Sequence, residues 1–475
     1  MKLIFEYDEQ ITGHLSDEDI TIELPNDLTR NELPLPNVSE ISVIRHYTNL
    51  SKKNFGVDVG FYPLGSCTMK YNPKINEDAS MLDGFRNLHP FSKEDCIQGS
   101  LQLMWQLEQY LKEITGMDAF SLQPAAGAQG ELLGLMITKA YFKQKNEKRF
   151  KAIIPDSAHG TNPATAAMCN YEIIEIPTDS RGNMDLQKFK QSLTADTAIV
   201  MLTNPNTLGL FEENILEICD LAHNNGTLAY CDGANMNAMF GITRPGDQGF
   251  DMIHLNLHKS FSTPHGGGGP GAGVLGVKSF LSDYLPMPKI IKQDNKYALD
   301  NMKRRSVGRV RAFYGNFGML VRAYSYIMSW GSDIRKVSEY AVLNANYLLS
   351  LLKDVYELPY DRKCAHEFVI SSEKFGEKSA LNIAKRLLDY GFHPPTIYFP
   401  LIVHEALMIE PTETESKETL DRFSFVLKSI AEEIKESPQI VKGAPYTTPI
   451  GRLDEVSAAR KPNLRWMPYK VNEKS

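Results

Sequence analysis

From about residue 93 to residue 278, short apolar runs alternate with stretches of helical periodicity. SLQLMWQLEQYLKEITG puts Leu101, Met104, Leu107, Leu111 and Ile114 on one helical face and stops at Gly116. AFSLQP then reads as a strand and GELLGLMITKAYFKQK as a helix. AIIPD, AIVMLTNP, TLAYCDGAN and DMIHLNLHKS read as further strands, with NPATAAM and NILEICDLAHNNG as helices between them. Short apolar runs bounded by turn residues suit strands buried on both faces, and intervening helices supply the crossovers that parallel strands need. The pattern therefore dictates an α/β domain built on a mostly parallel sheet. Ligands of such sheets bind beyond the carboxyl ends of the strands, so the residues that follow each run are the ones to weigh.

The ends of the chain read differently. Residues 1–60 are polar, with prolines in ELPLPNVSE, and are expected to form an N-terminal arm with a short helix at Ser39–Leu50. FYPLGSCTMKYNP has the composition of an ordered loop. A large domain is expected over 61–334 and a smaller α+β domain with a tail over 335–475. Helices are anticipated at Gly318–Met328, Ser338–Leu352 and LNIAKRLLDYG, with a strand in HEFVISSE. The last stretch, KGAPYTTPIGRLDEVSAARKPNLRWMPYK, suits an ordered tail or a partner-binding segment. A net charge of -7 argues against a general nucleic-acid binder. The six cysteines are scattered without a CxxC pair, as in a reducing compartment. No apolar run approaches the roughly 20 residues of a membrane span, and the start does not resemble a secretory signal. The expectation is a cytoplasmic protein that binds neither nucleic acid nor membrane.

Chemistry concentrates in LNLHKSFSTPHGGGGPGAG, residues 255–273. Lys259 ends an apolar run there. A lone lysine in such a place is usually a surface side chain with its ammonium in water. At the end of a buried strand it instead becomes a nucleophilic amine able to bond a carbonyl carbon. Asp232 ends the run TLAYCDGAN. A lysine and a carboxylate on neighbouring strands are the two groups that pyridoxal phosphate requires, one to bond the cofactor and one to keep its ring nitrogen protonated. Gly127, Ala128 and Gln129 lie between a strand and a helix, where small residues let backbone N–H groups approach a phosphate. His159 follows another strand and is placed to stack on a flat ring, and Asn204 and Asn206 in TNPNTLG are candidates for the cofactor's phenolic oxygen.

Two patterns are set aside. Gly266, Gly268 and Gly271 match GxGxxG, but Pro264 and Pro270 break the run and no helix opens behind it, so a dinucleotide site is not expected. His254 and His258 have the spacing of a helical metal pair but fall on a strand, where four residues span roughly 13 Å. No metal is expected.

NFGVDVGFYPLGSCTMKYNPKIN, EITGMDAFSLQPAAGAQGE, PDSAHGTNPATAAM, MLTNPNTLGLFE, DGANMNA, HLNLHKSFSTPHGGGGPGAGVLGVK, SVGRVRAFYGNFG and GFHPPTIYFPLIVHEALMIEPTETESKETLDRF cover about residues 45–430. In these stretches the chain resembles the C-terminal half of the glycine cleavage system P-protein family. The resemblance implies a fold-type-I, pyridoxal-phosphate-dependent transferase-like large domain with a smaller C-terminal α+β domain. It implies that Lys259 bonds the cofactor, Asp232 pairs with its ring nitrogen and His159 stacks on it, with Gly127, Ala128, Gln129, Asn206 and His258 completing the contacts. The implied reaction is decarboxylation of glycine, with the aminomethyl group passed to the lipoyl arm of the H-protein and CO2 released. A separate first subunit is implied, two of each per assembly. The alternatives are another fold-type-I enzyme, such as an amino-acid decarboxylase or desulfurase, or a non-catalytic subunit; they lack the GFYPLGSCTMKYNP and MIEPTETESKETLD stretches or would not need both Lys259 and Asp232. Arg309 and Arg311 are candidates for the substrate carboxylate by charge alone.

Overall fold

A computed structural model describes residues 3–7, 25–28, 36–266, 271–302 and 305–465. The alternating segment becomes a seven-stranded sheet in the order β1-β7-β6-β5-β4-β2-β3. Its strands are β1 (Ala119–Ser121), β2 (Lys151–Pro155), β3 (Glu172–Ile176), β4 (Thr197–Thr203), β5 (Leu228–Gly233), β6 (Met252–Asn256) and β7 (Gly273–Val277). From β3 to β6 all pairs are parallel. β7 runs antiparallel to both β6 and β1. Among the described residues of the link from β6 to β7 there is no helix, and β7 pairs antiparallel with β6.

Alternation of side chains sets the two layers of core. Val200, Leu202, Ala229 and Cys231 face the cluster that includes Leu101, Leu107 and Leu111. Ile199, Met201, Leu228 and Tyr230 face the other side, with Leu133 and Ile137 of the helix Gly127–Gln144. Each fully buried side chain of this size contributes about 1.5–3 kcal/mol. The sequence pattern missed β3, half-exposed at the sheet edge, and β7, whose GVLGV is interrupted by glycine. It also missed the polar hairpin β8 (Lys289–Gln293) and β9 (Lys296–Asp300).

Past the helix Arg335–Leu352, a second sheet has the order β10-β12-β11, with β10 (Phe368–Ser371), β11 (Thr396–Ile397) and β12 (Ala406–Ile409), all antiparallel. Leu348, Ile383, Leu407, Phe423 and Leu427 fill its core. The loop after Phe61 lies against β12: Leu64 bridges Ile409, and Gly65 N–H donates to the Met408 carbonyl at 3.3 Å. A Cβ at Gly65 would fall 2.7 Å from that carbonyl oxygen, so only glycine permits this approach. Gly60–Ser475 thus form one compact unit holding both sheets.

Met1–Val59 form a unit of their own. Its helix is Glu40–Ser51, with the Ser39 hydroxyl accepting from Ser42 N–H. Residues 8–24 and 29–35 of the expected arm lie outside the described residues. The tail is tied down by Asp389, which accepts from the N–H groups of Tyr446 and Thr447 at 2.6 and 2.9 Å. It continues as the helix Glu455–Arg460, and residues 466–475 lie outside the described residues. Among the described residues, no helix is long and apolar enough to cross a membrane.

Lys70 is the most deeply buried charge in the 61–72 loop. Its ammonium donates to the Ser260 carbonyl at 2.8 Å, Tyr326 Oη at 3.0 Å and Glu413 Oε1 at 2.7 Å. The side chains of the ion pair are 0% and 4% exposed. Removing one partner strands the other, which costs about 3–5 kcal/mol. Lys70→Met is therefore expected to lower stability by about that amount in a denaturant melt. A change within about 0.5 kcal/mol would show the pair to be energetically idle.

Candidate active site

Strand register brings three polar side chains together at the carboxyl ends of the sheet. Thr203 pairs with Asp232, and Asp232 pairs with His254. Asp232 is 3% exposed. Its Oδ2 accepts from the Asn162 amide at 2.9 Å and its Oδ1 from Ala234 N–H at 3.0 Å. Burial alone would raise its pKa; the His254 ring, the Asn162 and Ala234 donors and Lys259 outweigh burial and hold it below the ordinary carboxylate value. Asp232 is thus a buried anion that stays ionised at neutral pH.

A relay behind Asp232 fixes its orientation. Tyr230 Oη lies 2.7 Å from His254 Nδ1, and His254 Nε2 lies 3.3 Å from Asp232 Oδ1. Burial drives the Tyr230 phenol well above its usual pKa, so it donates to Nδ1. Burial pushes the His254 pKa down while the Asp232 charge pulls it up, and its Nε2–H faces the carboxylate. Glu131 faces the same ring nitrogen, 4.0 Å from Nε2. Burial, then the nearby Asp232, pushes Glu131 up to about 8, which leaves one negative charge in this trio at pH 7. Thr161 and Thr165 donate to Glu131 at 2.9 and 3.3 Å.

Thr161 also positions His159. Its backbone N–H and its hydroxyl oxygen both lie against His159 Nδ1, at 3.2 and 2.9 Å. His159 keeps an exposed surface, but partial desolvation lowers its pKa, and Phe399 stands edge-on at 5.6 Å.

Lys259 does not end β6 but sits three residues beyond it, in a turn closed by Lys259 N–H to the Asn256 carbonyl at 3.1 Å. The next residue is pinned from two sides: Ser260 Oγ accepts from Met236 N–H at 2.6 Å, and its carbonyl accepts from Lys70.

The helix Gly127–Gln144 begins at Ala126 without a side-chain cap, and Gly127 and Ala128 line the pocket that holds Asp232, His159 and Lys259. Unpaired first-turn N–H groups and the helix dipole make this an anion cradle. A Cβ on Gly127 would lie 2.0 Å from Asn256 Oδ1, and one on Gly273 would lie 2.3 Å from the Ala126 carbonyl oxygen. Asn256 Oδ1 and Thr203 Oγ1, both on this pocket, have no hydrogen-bond partner among the described residues. A cation acceptor, an anion cradle, unpaired polar atoms and an amine around one pocket fit pyridoxal phosphate. Overpacking costs about 1–3 kcal/mol, so Gly127→Ala is expected to weaken cofactor binding roughly tenfold. Fluorescence titration of the apoprotein measures this; wild-type affinity would remove the cradle assignment.

Three of the expected contacts have their side chains engaged in other bonds. The Gln129 amide accepts from Ala125 N–H and donates to the Val310 carbonyl, so only its backbone remains for a phosphate. Asn206 touches the pocket, but its amide is spent on Gly182, Leu208 and Leu210, which holds the loop after β4. The His258 ring lies against the Ala272 backbone, and burial pushes its pKa down to about 4. Asn204 is likewise spent, on Gln248 and Glu212 N–H. Arg309 is exposed, and Arg311 donates to Asn316. Gly268 and Pro270 of the glycine run lie outside the described residues. Sequence reasoning missed Glu131, the relay role of Tyr230 and His254, and the small-domain residues on this pocket, His366 and Glu367. The available signal was a tyrosine and a histidine inside otherwise apolar strands.

Comparison with known proteins places the chain in a family. Residues 337–445 match the family model described as glycine dehydrogenase, C-terminal domain, and residues 135–290 match aminotransferase class-V. A protein of Caldanaerobacter subterraneus subsp. tengcongensis named probable glycine dehydrogenase (decarboxylating) subunit 2 is 60% identical over 93% of this chain and 92% of its own. The chain belongs to that family. Another member, from Desulforamulus reducens, is 59% identical over 94% of this chain and 93% of its own. The family's fold recurs in a crystal structure of an inhibitor-bound glycine decarboxylase (P-protein) of the glycine cleavage system, at 19% identity with a TM-score of 0.73 over 87% of this chain and 95% of that one. A cysteine desulfurase from Thermococcus onnurineus has the same general fold, at 16% identity with a TM-score of 0.60 over 78% of this chain and 95% of that one. The large domain is therefore that of a fold-type-I pyridoxal-phosphate enzyme.

Proposed function

We propose that this chain decarboxylates glycine with pyridoxal phosphate held on Lys259, and that it hands the aminomethyl group to the lipoyl arm of a carrier, the H-protein. The observation that carries the proposal is the meeting of Lys259, the ionised Asp232 and an uncapped helix N-terminus on one pocket, in a chain of this family. The bound cofactor supplies an electron sink for the charge left when CO2 departs.

The chain's own residues have distinct tasks. Asp232, steered by the Tyr230–His254 relay, holds a proton at the position of a ring nitrogen. Glu131, neutral through burial and its proximity to Asp232, adds no second anion there. His159 offers a neutral ring face at the mouth of the pocket. Lys259 is the amine that bonds the cofactor and that moves protons once released. In the overall reaction, glycine loses its carboxylate as CO2. One lipoyl sulfur takes the aminomethyl group and the other takes a proton, so the disulfide is the oxidant.

A related first subunit completes the assembly in this proposal, two copies of each. The name subunit 2 borne by the relatives supports it. The test is glycine-dependent CO2 release from the chain alone, with a first subunit, and with both that subunit and a lipoylated carrier. The proposal expects turnover only with all three. Full turnover by the chain alone would remove the partner from it.

A further inference from the structure

The small domain adds a second cluster to the pocket, and no step above uses it. His366 and Glu367 precede β10 and line the pocket beside Lys259; Glu410 follows β12. All three are buried, with their ligand-type atoms within 4.8 Å of one another.

The two carboxyl groups are solvated very unequally. Glu410 accepts from Thr68 N–H at 2.9 Å, the Thr68 hydroxyl at 2.8 Å, the Asn235 amide at 2.9 Å and the Asn237 amide at 3.2 Å. Among the described residues, Glu367 accepts only from Ser66 N–H, at 2.7 Å on Oε2. Two buried carboxyls this close do not both ionise. The charge belongs on the one with four donors, and the proton on the other. Burial and the neighbouring Glu410 push Glu367 up to about 8. Ser66 and Thr68 both have positive φ, 66° and 53°, so the loop presenting these N–H groups is held in a costly conformation.

His366 supplies the independent observation. It is 2% exposed, yet neither Nδ1 nor Nε2 has a hydrogen-bond partner among the described residues; Nε2 stops 3.7 Å from Glu367 Oε1. An unpaired imidazole at this depth costs free energy unless a ligand completes it. Burial pushes the ring down to about 3, so it is neutral and offers one N–H. The N–H donors already aimed at these carboxyls, with a neutral imidazole N–H and a protonated carboxyl beside them, are wrong for a metal cation. They suit an anion that accepts hydrogen bonds.

We propose that His366 and the protonated Glu367 form the subsite for the substrate's carboxylate, with Glu410 as the fixed charge that keeps the proton on Glu367. This rests on the glycine reading above. Two neutral donors match the two oxygens of one carboxylate. Among the described residues lining the pocket there is no guanidinium. The carboxylate is therefore held without a fixed counter-charge of its own, and little binding is forfeited when it leaves as neutral CO2.

The groups facing Glu367 are Glu410, Cys67 on the loop, Lys259 on the turn after β6, and His366 and Cys364 on its own approach to β10. Below about pH 8 Glu367 donates to the carboxylate; above it the proton, and the donor, are lost. The test uses the assembled holoenzyme and equilibrium binding of glycine and of methylamine, which has the amine but no carboxylate. Cofactor absorbance follows both. Glu367→Ala and His366→Ala are expected to weaken glycine roughly tenfold or more and methylamine less than about twofold. Glu367→Gln keeps a neutral donor and an acceptor for Ser66. It is expected to bind glycine like wild type at pH 7 and to lose the extra alkaline fall in glycine affinity relative to methylamine. A purely structural role would not move that pH profile. The subsite is overturned if the glycine-to-methylamine ratio is unchanged in both alanine variants, or if Glu367→Gln keeps the wild-type profile. If glycine fails to perturb the wild-type enzyme while methylamine succeeds, the glycine reading itself falls, and this subsite with it.

Discussion

Lys259→Ala is expected to abolish the cofactor bond that borohydride fixes, leaving no labelled peptide in a digest. Decarboxylation should fall by roughly 10²–10⁴-fold or more, because the same amine also moves protons. The fold should survive. Lys259 lies in a turn whose closing bonds are made by backbone and by Ser260, not by its own ammonium. Melting temperature and far-UV circular dichroism would therefore stay near wild type. An adduct on any other lysine would overturn the assignment.

Asp232→Asn is expected to keep the pocket's shape and lose its charge. Of the Asn162 amide, now 2.9 Å from Oδ2, and Ala234 N–H, now 3.0 Å from Oδ1, one keeps an oxygen acceptor and the other meets the new amide NH2, and the ring-facing anion is gone. Cofactor should still bind, with altered absorbance, and turnover should fall by orders of magnitude because the electron sink is weakened. The variant also tests the relay. With Asp232 neutral, Glu131 loses the neighbour that helps hold its carboxyl near 8, so its pKa should fall. Glu131 would then ionise at lower pH than in wild type, a shift visible as a displaced alkaline limb in cofactor absorbance. Near-normal turnover would take Asp232 out of the catalytic set.

Asp232 and Lys259 were legible as pocket residues because Asp232 puts a charge in a buried apolar strand and Lys259 follows one closely. Register then explains why they meet. β5 and β6 are parallel neighbours, so residues that follow each strand face the same crevice. Gly127 and Ala128 were legible because small residues at a strand-to-helix turn have few other reasons to be there. Asn206 lines the pocket as expected, while its side chain closes its own turn, a task an asparagine after a strand suits equally well. His366, Glu367 and Glu410 were not legible. They are more than 100 positions from Lys259 in the chain, and only the packing of the small sheet against the loop at 63–70 brings them to it. Lys70 was hidden in the same way, since its partners Ser260, Tyr326 and Glu413 come from three separate segments.

Release of carboxyl-labelled CO2 from glycine carrying ¹³C at the carboxyl carbon tests the central claim most directly. The assay contains the chain with its cofactor, the first subunit and a lipoylated carrier. The account predicts labelled CO2 in step with aminomethylated carrier, both lost with Lys259→Ala. Labelled CO2 at the same rate from the Lys259→Ala assembly, or none from the wild-type one, would contradict it.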